Sequence, residues 1–328
     1  MPEARHAAPP AERLLQRLEW KVLRRLDGLL QGGARTLLRG AGIDLADLRE
    51  YQPHDDVRHI DWNVTARLAT PHVRVYTEDR DITAWFLLDL SPSVDFGPPG
   101  QAKRDMLAGF VGVLARLIQR HGNRVGAVLH DGHAAMGRVL PAGGGRRQVL
   151  QLLHLLVGGQ GAADPATPPG TTDRALLLNQ AQGLLRRRSA VFVISDFLSQ
   201  PGWDKPLARL ARRHDVVAVR LLDPLELELP DVGLVTLRDA ESGEQLQVDT
   251  HDAGFRRRFA QLAADREAAL REGLTRAGAD TLELCTDDDL VDALLRFMDL
   301  RQRRVRAHSN PLSPASASTG AAAQEAAA

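Results

Sequence analysis

The chain has 328 residues, of which 44% are hydrophobic and 26% are charged, an ordinary globular composition. Its 42 basic and 42 acidic residues give a formal net charge of zero, so no overall field attracts nucleic acid or an anionic membrane. The N-terminus lacks an apolar signal core, and no segment approaches the roughly 18 apolar residues of a membrane span. We therefore expect a cytoplasmic protein without stable membrane insertion.

The first predicted element is an amphipathic helix from residue 13 to about residue 30, preceded by a disordered tail over residues 1–12. Leucines and valines recur in it at helical spacing, and Gly32-Gly33 follows its end. We expect its apolar stripe to pack on the main body of the protein. Binding of this stripe in a groove of a partner is the alternative.

From residue 71 onward, strands and helices alternate. Strands are predicted over residues 71–78, 82–88, 124–130, 136–140, 190–194, 216–221 and 281–285. Helices are predicted over residues 102–121, 146–157, 172–187, 206–213, 253–277 and 287–301, with a β-hairpin inside 230–249. This alternation indicates an α/β fold, a doubly wound and mostly parallel sheet with helices on both faces.

The single cysteine and the C-terminal segment have simpler interpretations. Cys285 ends a short predicted strand, and a free cysteine in that position is typically a buried, inert thiol. One cysteine excludes an intrachain disulfide and a cysteine-based metal site. Residues 303–328, rich in Ser, Pro and Ala, bury too little surface to fold and are predicted to be a disordered tail.

The clearest chemistry lies in Asp89-Leu90-Ser91-Pro92-Ser93, which follows the most apolar predicted strand. Two further segments fall at strand ends or helix starts: Gly170-Thr171-Thr172-Asp173 and Ser195-Asp196. Ligands of open parallel sheets bind at the carboxyl ends of the strands. Because hydroxyl and carboxylate oxygens suit hard cations, the three segments predict a Mg²⁺ site, with Mn²⁺ as the second possibility.

The order of these segments resembles the metal-ion-dependent adhesion site (MIDAS) of von Willebrand factor A domains. The resemblance implies that Ser91, Ser93 and Thr172 ligate the metal, while Asp89 and Asp196 act through hydrogen bonds or bound waters. Thr172 is preferred to Thr171 because its spacing to the following apolar helix positions is closer to the family pattern. One open coordination position would then accept a partner's Asp or Glu side chain.

A second resemblance covers residues 48–67, which are similar to the signature R-E-Y-x-x-G-D-D-x-R-x-I-D-W-x-x-x-A-R of the bacterial domain-of-unknown-function 58 family, with His54 in place of the usual Gly. It extends over residues 40–220 and more loosely to about residue 300. Many members carry N-terminal membrane spans. The family is associated with MoxR-type AAA+ ATPases, which implies such an ATPase as a partner. The residues assigned to a structural or partner-facing signature are Arg49, Tyr51, Asp55, Asp56, Arg58, Asp61, Trp62 and Arg67.

The signature segment has two interpretations. In the first, its charged side chains, including Arg49 and Asp61, pair with each other while Tyr51 and Trp62 pack beneath them. In the second, Asp55, His59 and Asp61 work with the metal site as a metal-dependent hydrolase. We favour the structural interpretation, because no strand–loop–helix frame positions these groups as a metal triad. A serine hydrolase is disfavoured because Ser91 lacks the flanking glycines of a nucleophile elbow.

These observations predict a Mg²⁺-dependent protein-binding module and not an enzyme. It would act as an adaptor or co-chaperone-like partner of a MoxR-type ATPase, of a client protein, or of both, without binding nucleic acid. We expect an N-terminal helix, the signature segment and a small β-rich extension over residues 13–80. A von Willebrand A-like domain would occupy residues 81–302.

Overall fold

A six-stranded sheet forms the centre of the protein in a computed structural model. Its strands are β3 (Thr83–Asp89), β4 (Arg124–His130), β5 (Arg138–Gly143), β6 (Ala190–Ser195), β7 (Asp215–Leu222) and β10 (Asp280–Cys285). Their order is β10-β7-β6-β3-β4-β5, and every neighbouring pair is parallel except β4 and β5. The structure describes residues 10–29, 47–52, 57, 60–75, 83–98, 100–132, 137–158, 174–198, 201–240 and 242–309.

Helices cover both faces of this sheet. They are α4 (Lys103–Arg120), α5 (Arg146–Gly158), α6 (Arg174–Leu184), α7 (Asp204–Arg213), α8 (Ala253–Ala277) and α9 (Leu290–Ser309). Side chains alternate across β3: Phe86 and Leu88 pack in one core with α4, α5 and α9, while Leu87 packs in a second core with α6, α7 and α8. The predicted α/β, doubly wound architecture, with a mostly parallel sheet and helices on both faces, is confirmed.

The N-terminal helix packs on the main body, as predicted. It comprises α1 (Pro10–Leu18), a π-helical turn (Glu19–Leu23) and α2 (Arg24–Leu29), and its apolar stripe is buried against α4 and α5. Gly112 of α4 permits this approach, because a Cβ there would lie 2.9 Å from Leu18 Cδ1 and 3.0 Å from Leu153 Cδ2. The described part of this helix starts at Pro10, so residues 10–12, which were predicted to belong to the tail, are helical.

A small antiparallel pair precedes the main sheet. Strand β1 (Asp47–Glu50) pairs with β2 (His72–Val75), and the short helix α3 (Trp62–Leu68) lies between them in the chain. The β-rich extension is therefore confirmed. Within the strand predicted over residues 71–78, residues 76–78 lie outside the described part of the chain.

The C-terminal third follows the prediction with two changes at α9. The hairpin of β8 (Leu234–Arg238) and β9 (Gln245–Asp249) is present, and α8 has the predicted limits. Helix α9 starts later than predicted because Asp289 caps it, accepting a 2.8 Å hydrogen bond from the Val291 N–H. It also continues to Ser309, beyond the predicted end at residue 301. No helix within the described ranges is long and apolar enough to cross a membrane.

Candidate functional site

The register of two central strands brings the predicted acidic residues to one edge of the sheet. Leu88 of β3 and Ile194 of β6 form the last pair between these two strands, so the next residue of each, Asp89 and Ser195, lies just beyond that pair. The Ser195 hydroxyl donates a 2.7 Å hydrogen bond to Asp89 Oδ2. Asp196 follows directly, and both carboxylates are almost completely buried.

The two predicted serine ligands approach the same point from the turn after β3. The Ser91 N–H donates to Asp89 Oδ1 at 3.0 Å, and a 3₁₀ turn over Pro92–Asp95 directs Ser93 back toward the strands. The Ser91 and Ser93 hydroxyl oxygens lie 3.1 Å apart, and the Ser93 side chain also hydrogen-bonds Asp196.

Four of the five residues predicted to form the metal site, Asp89, Ser91, Ser93 and Asp196, are therefore joined by hydrogen bonds in one cluster, which we call the strand-end pocket. The fifth, Thr172, and its alternative Thr171 lie outside the described residues.

An arginine that the sequence reasoning did not assign lies among these carboxylates. Arg174 Nε donates to Asp89 Oδ2 at 2.7 Å and to Ser195 Oγ at 2.6 Å, and its Nη2 donates to Asp196 Oδ1. The side chain is only 3% exposed. Its Nη1 is buried and has no hydrogen-bond partner among the described residues. The guanidinium thus bridges both carboxylates of the strand-end pocket.

A buried lysine binds the opposite side of Asp196. Lys103 Nζ lies 3.1 Å from Asp196 Oδ2 and 2.7 Å from Glu226 Oε1, and the lysine side chain is fully buried. The three carboxylates of Asp89, Asp196 and Glu226 face the two cations of Lys103 and Arg174, so this cluster carries a net charge of −1.

These contacts keep Asp196 ionised. Burial alone would raise the pKa of its carboxyl group. The charges of Arg174 and Lys103, together with hydrogen bonds from Ser93 and the Leu198 N–H, outweigh burial and lower that pKa. Asp196 is therefore negatively charged at neutral pH.

The chemistry of the oxygen donors fits a hard divalent cation. Two hydroxyls and two carboxylates converge, the donor types that Mg²⁺ prefers, and Ser91 would hold such an ion together with Ser93. Among the described residues there is no group of three or more His, Cys, Asp or Glu side chains arranged to hold a metal, so the hydroxyls are needed to complete a site. Arg174 and Lys103 already neutralise part of the acidic charge.

A groove of about 1060 Å³ opens beside Ser93 and runs along the β8–β9 hairpin. Glu226, the second partner of Lys103, also lines it. Most of its lining is apolar, and several of these side chains are exposed: Phe96 by 38%, Leu225 by 44% and Leu246 by 61%. The polar strand-end pocket and this apolar groove therefore adjoin.

The signature segment has only part of the predicted arrangement. Asp61 is buried and caps α3, accepting a 3.2 Å hydrogen bond from the Val64 N–H, and its own N–H donates to the His72 carbonyl at 2.8 Å. The prediction that Trp62 packs beneath the charged residues is wrong, because Trp62 is 70% exposed. Its position directly after the buried cap places the ring on the outer side of α3.

The structure describes three of the other signature residues, Tyr51, Arg67 and, for its backbone, Arg49. Tyr51 is half-buried and Arg67 is exposed. For Arg49 the structure describes the backbone, which lies in β1. The remaining candidates, Asp55, Asp56, Arg58 and His59, lie outside the described residues.

Sequence reasoning missed Lys103 and Arg174, although their positions in the sequence are informative. Both fall in the first turn of a helix predicted from the sequence, over residues 102–121 and 172–187 respectively, where the helix dipole disfavours a positive charge. A cation at such a position requires a compensating anion. Lys103 is also one of only three lysines in the chain.

Comparisons with known proteins agree with the resemblance of residues 48–67 to the domain-of-unknown-function 58 family. The family model described as "Protein of unknown function DUF58" matches residues 47–269. The uncharacterized protein Rv1480 of Mycobacterium tuberculosis is 39% identical over 296 residues, covering 90% of this chain and 91% of the relative. The uncharacterized protein MAV169 of Mycobacterium avium is 38% identical over 165 residues, covering 50% of this chain and 94% of the relative.

Solved structures show more distant similarity. The conserved hypothetical protein BatB of Bacteroides thetaiotaomicron has 14% identity and a TM-score of 0.42, covering 68% of this chain and 99% of that one. A von Willebrand factor type A protein of Catenulispora acidiphila has 10% identity and a TM-score of 0.34, covering 67% and 42%. The family match and the relatives' coverage together show that the chain belongs to the DUF58 family.

Proposed function

We propose that this chain is a Mg²⁺-dependent protein-binding module that docks a carboxylate of a partner protein at the strand-end pocket. The convergence of Asp89, Ser91, Ser93 and Asp196 at one buried edge of the sheet carries the proposal. In the family pattern the serines and Thr172 would hold the ion. When bound, Mg²⁺ would supply a positive docking point for an Asp or Glu side chain of the partner.

The adjoining groove supports protein as the ligand class. A carboxylate alone contributes little net affinity, because its desolvation offsets most of the electrostatic gain. Apolar side chains in the groove would contribute the remainder, as buried anchors do in protein interfaces. The expected ligand is therefore a partner segment in which an acidic residue stands next to apolar residues.

The partner that we propose is a MoxR-type AAA+ ATPase, with this chain acting as its adaptor or co-chaperone-like factor. This choice rests on the family resemblance of residues 48–67. A client protein presented to the ATPase is the other partner that the same surface would serve. The hydrolase alternative depends on Asp55 and His59 and has no observation in its favour.

Capture of the purified ATPase by the immobilised chain, in Mg²⁺ and in EDTA, tests this function. We expect capture by the wild type in Mg²⁺, loss of capture in EDTA, and loss with Ser91→Ala/Ser93→Ala under both conditions. The control variant Thr70→Ala/Thr275→Ala removes two exposed hydroxyls elsewhere and should behave as wild type. Capture that survives both EDTA and the Ser91/Ser93 substitutions contradicts the metal-docking role.

A further inference from the structure

We propose that Arg174 is an internal cation that competes with the divalent ion for the strand-end pocket, so that the ion binds only when the guanidinium withdraws. This inference deepens the proposed function and rests on it. It assigns to Arg174 the control of metal affinity.

The contacts of Arg174 place it where a bound cation would compete. Its Nε lies 2.7 Å from Asp89 Oδ2, and its Nη2 donates to Asp196. One oxygen of each carboxylate therefore already accepts a hydrogen bond from the guanidinium. A divalent ion that drew on the same oxygens would also meet a positive charge at hydrogen-bond distance from them, which is strongly unfavourable in a buried site.

One feature favours withdrawal of Arg174. Its Nη1 is buried without a hydrogen-bond partner among the described residues, which costs free energy that withdrawal recovers. The hydrogen bonds to Asp89 and Asp196 hold the side chain in the pocket against this cost.

Lys103 differs from Arg174 and is not the exchanging cation. Its Nζ binds Glu226 at 2.7 Å in addition to Asp196 at 3.1 Å, so it retains a counter-charge if the contact with Asp196 changes. It lies on the side of Asp196 that faces Glu226, while Arg174 bridges Asp196 to Asp89. A divalent ion therefore competes mainly with Arg174.

The test compares Mg²⁺ and Mn²⁺ binding by wild type, Arg174→Ala and Arg174→Lys, using calorimetry, with thermal unfolding in EDTA and in Mg²⁺ as a second readout. If the guanidinium occupies the competent site most of the time, its removal should tighten Mg²⁺ binding by about tenfold or more. Arg174→Lys keeps the positive charge but loses the hydrogen bonds that bridge the two carboxylates. Its Mg²⁺ affinity should therefore lie between those of wild type and Arg174→Ala. Arg187→Ala, an exposed change of the same charge, should bind as wild type.

Thermal unfolding gives an independent measurement. Arg174→Ala should have a lower Tm than wild type in EDTA, and Mg²⁺ should raise its Tm more than that of wild type. A variant that folds only with Mg²⁺ supports the inference in the same way. If Arg174→Ala instead fails to fold in both conditions, the Mg²⁺ affinity of Arg174→Lys decides. An affinity higher than that of wild type supports the competition, and an affinity equal to that of wild type overturns it.

The outcomes separate this inference from the proposed function. Equal Mg²⁺ affinity of wild type, Arg174→Ala and Arg174→Lys overturns the competition while leaving metal-dependent docking intact. Absence of Mg²⁺ binding in every variant, with partner capture insensitive to EDTA, overturns both.

Discussion

Replacement of Lys103 by alanine should destabilise the fold severely, because the change removes the shared cation of two carboxylates. Asp196 would keep Arg174 as a partner, whereas Glu226, 14% exposed at its side chain, would lose the 2.7 Å contact with Lys103. Breaking a buried ion pair by deleting one partner costs roughly 3–5 kcal/mol. Partial hydration of Glu226 places the expected loss near the lower end of that range.

Urea unfolding of wild type, Lys103→Ala, Glu226→Gln and the double variant measures this directly. Glu226→Gln alone should cost less, because Lys103 keeps Asp196. The double-mutant cycle should give a coupling of roughly 1–3 kcal/mol, the range for residues in one ion-pair network. Lys205→Ala, a change at an exposed lysine, should alter the free energy of unfolding by less than about 0.5 kcal/mol. A Lys103→Ala loss below about 1 kcal/mol with no coupling would refute this description of the pocket.

Three further changes test other parts of the structure. Arg301→Ala should lower the free energy of unfolding by roughly 3–5 kcal/mol in urea titrations, since it removes the buried ion pair in which Arg301 Nη1 lies 2.9 Å from Asp215 Oδ1; a loss typical of a surface residue would contradict the pairing. Burial and two neighbouring arginines lower the pKa of His214, so the folded state resists protonation and the free energy of unfolding should fall as pH drops below about 6.5. His214→Gln should flatten that fall between pH 7 and pH 5 and His121→Gln should not. Burial raises the pKa of the Cys285 thiol to about 11, so alkylation by iodoacetamide at pH 8 should be about 100-fold slower than for a free cysteine; comparable rates would show that the thiol is not protected.

The central sheet could be predicted from the sequence because its strands are short apolar runs that end at polar residues. Strand β6, for example, is buried along its whole length, so its residues show no alternation and its limits are set by the flanking arginines and Asp196. By contrast, β1 has four residues and α3 has seven. Elements this short give no detectable periodicity, and their formation depends on contacts such as the pairing of β1 with β2.

The position of the acidic residues of the site could likewise be predicted from the sequence, whereas their buried cationic partners could not. Asp89 ends β3 and Asp196 directly follows β6, so their position at a common edge of the sheet follows from the parallel topology alone. The pairing of Arg174 with Asp89 spans 85 residues, and that of Lys103 with Glu226 spans 123. Such partners are brought together only by the packed fold, and nothing in the local sequence of Glu226 indicates a buried cation opposite it.

The placement of the N-terminal helix against α4 and α5 has a consequence for where this protein can be divided. The family match spans residues 47–269, yet Leu15, Leu23 and Leu26 of the preceding helix are fully buried in the same core as Phe297 of α9. Excising the matched region would uncover leucine and valine surface worth on the order of 10 kcal/mol, comparable with the whole stability of an ordinary domain. The cooperative folding unit is thus wider than the region by which the family is recognised.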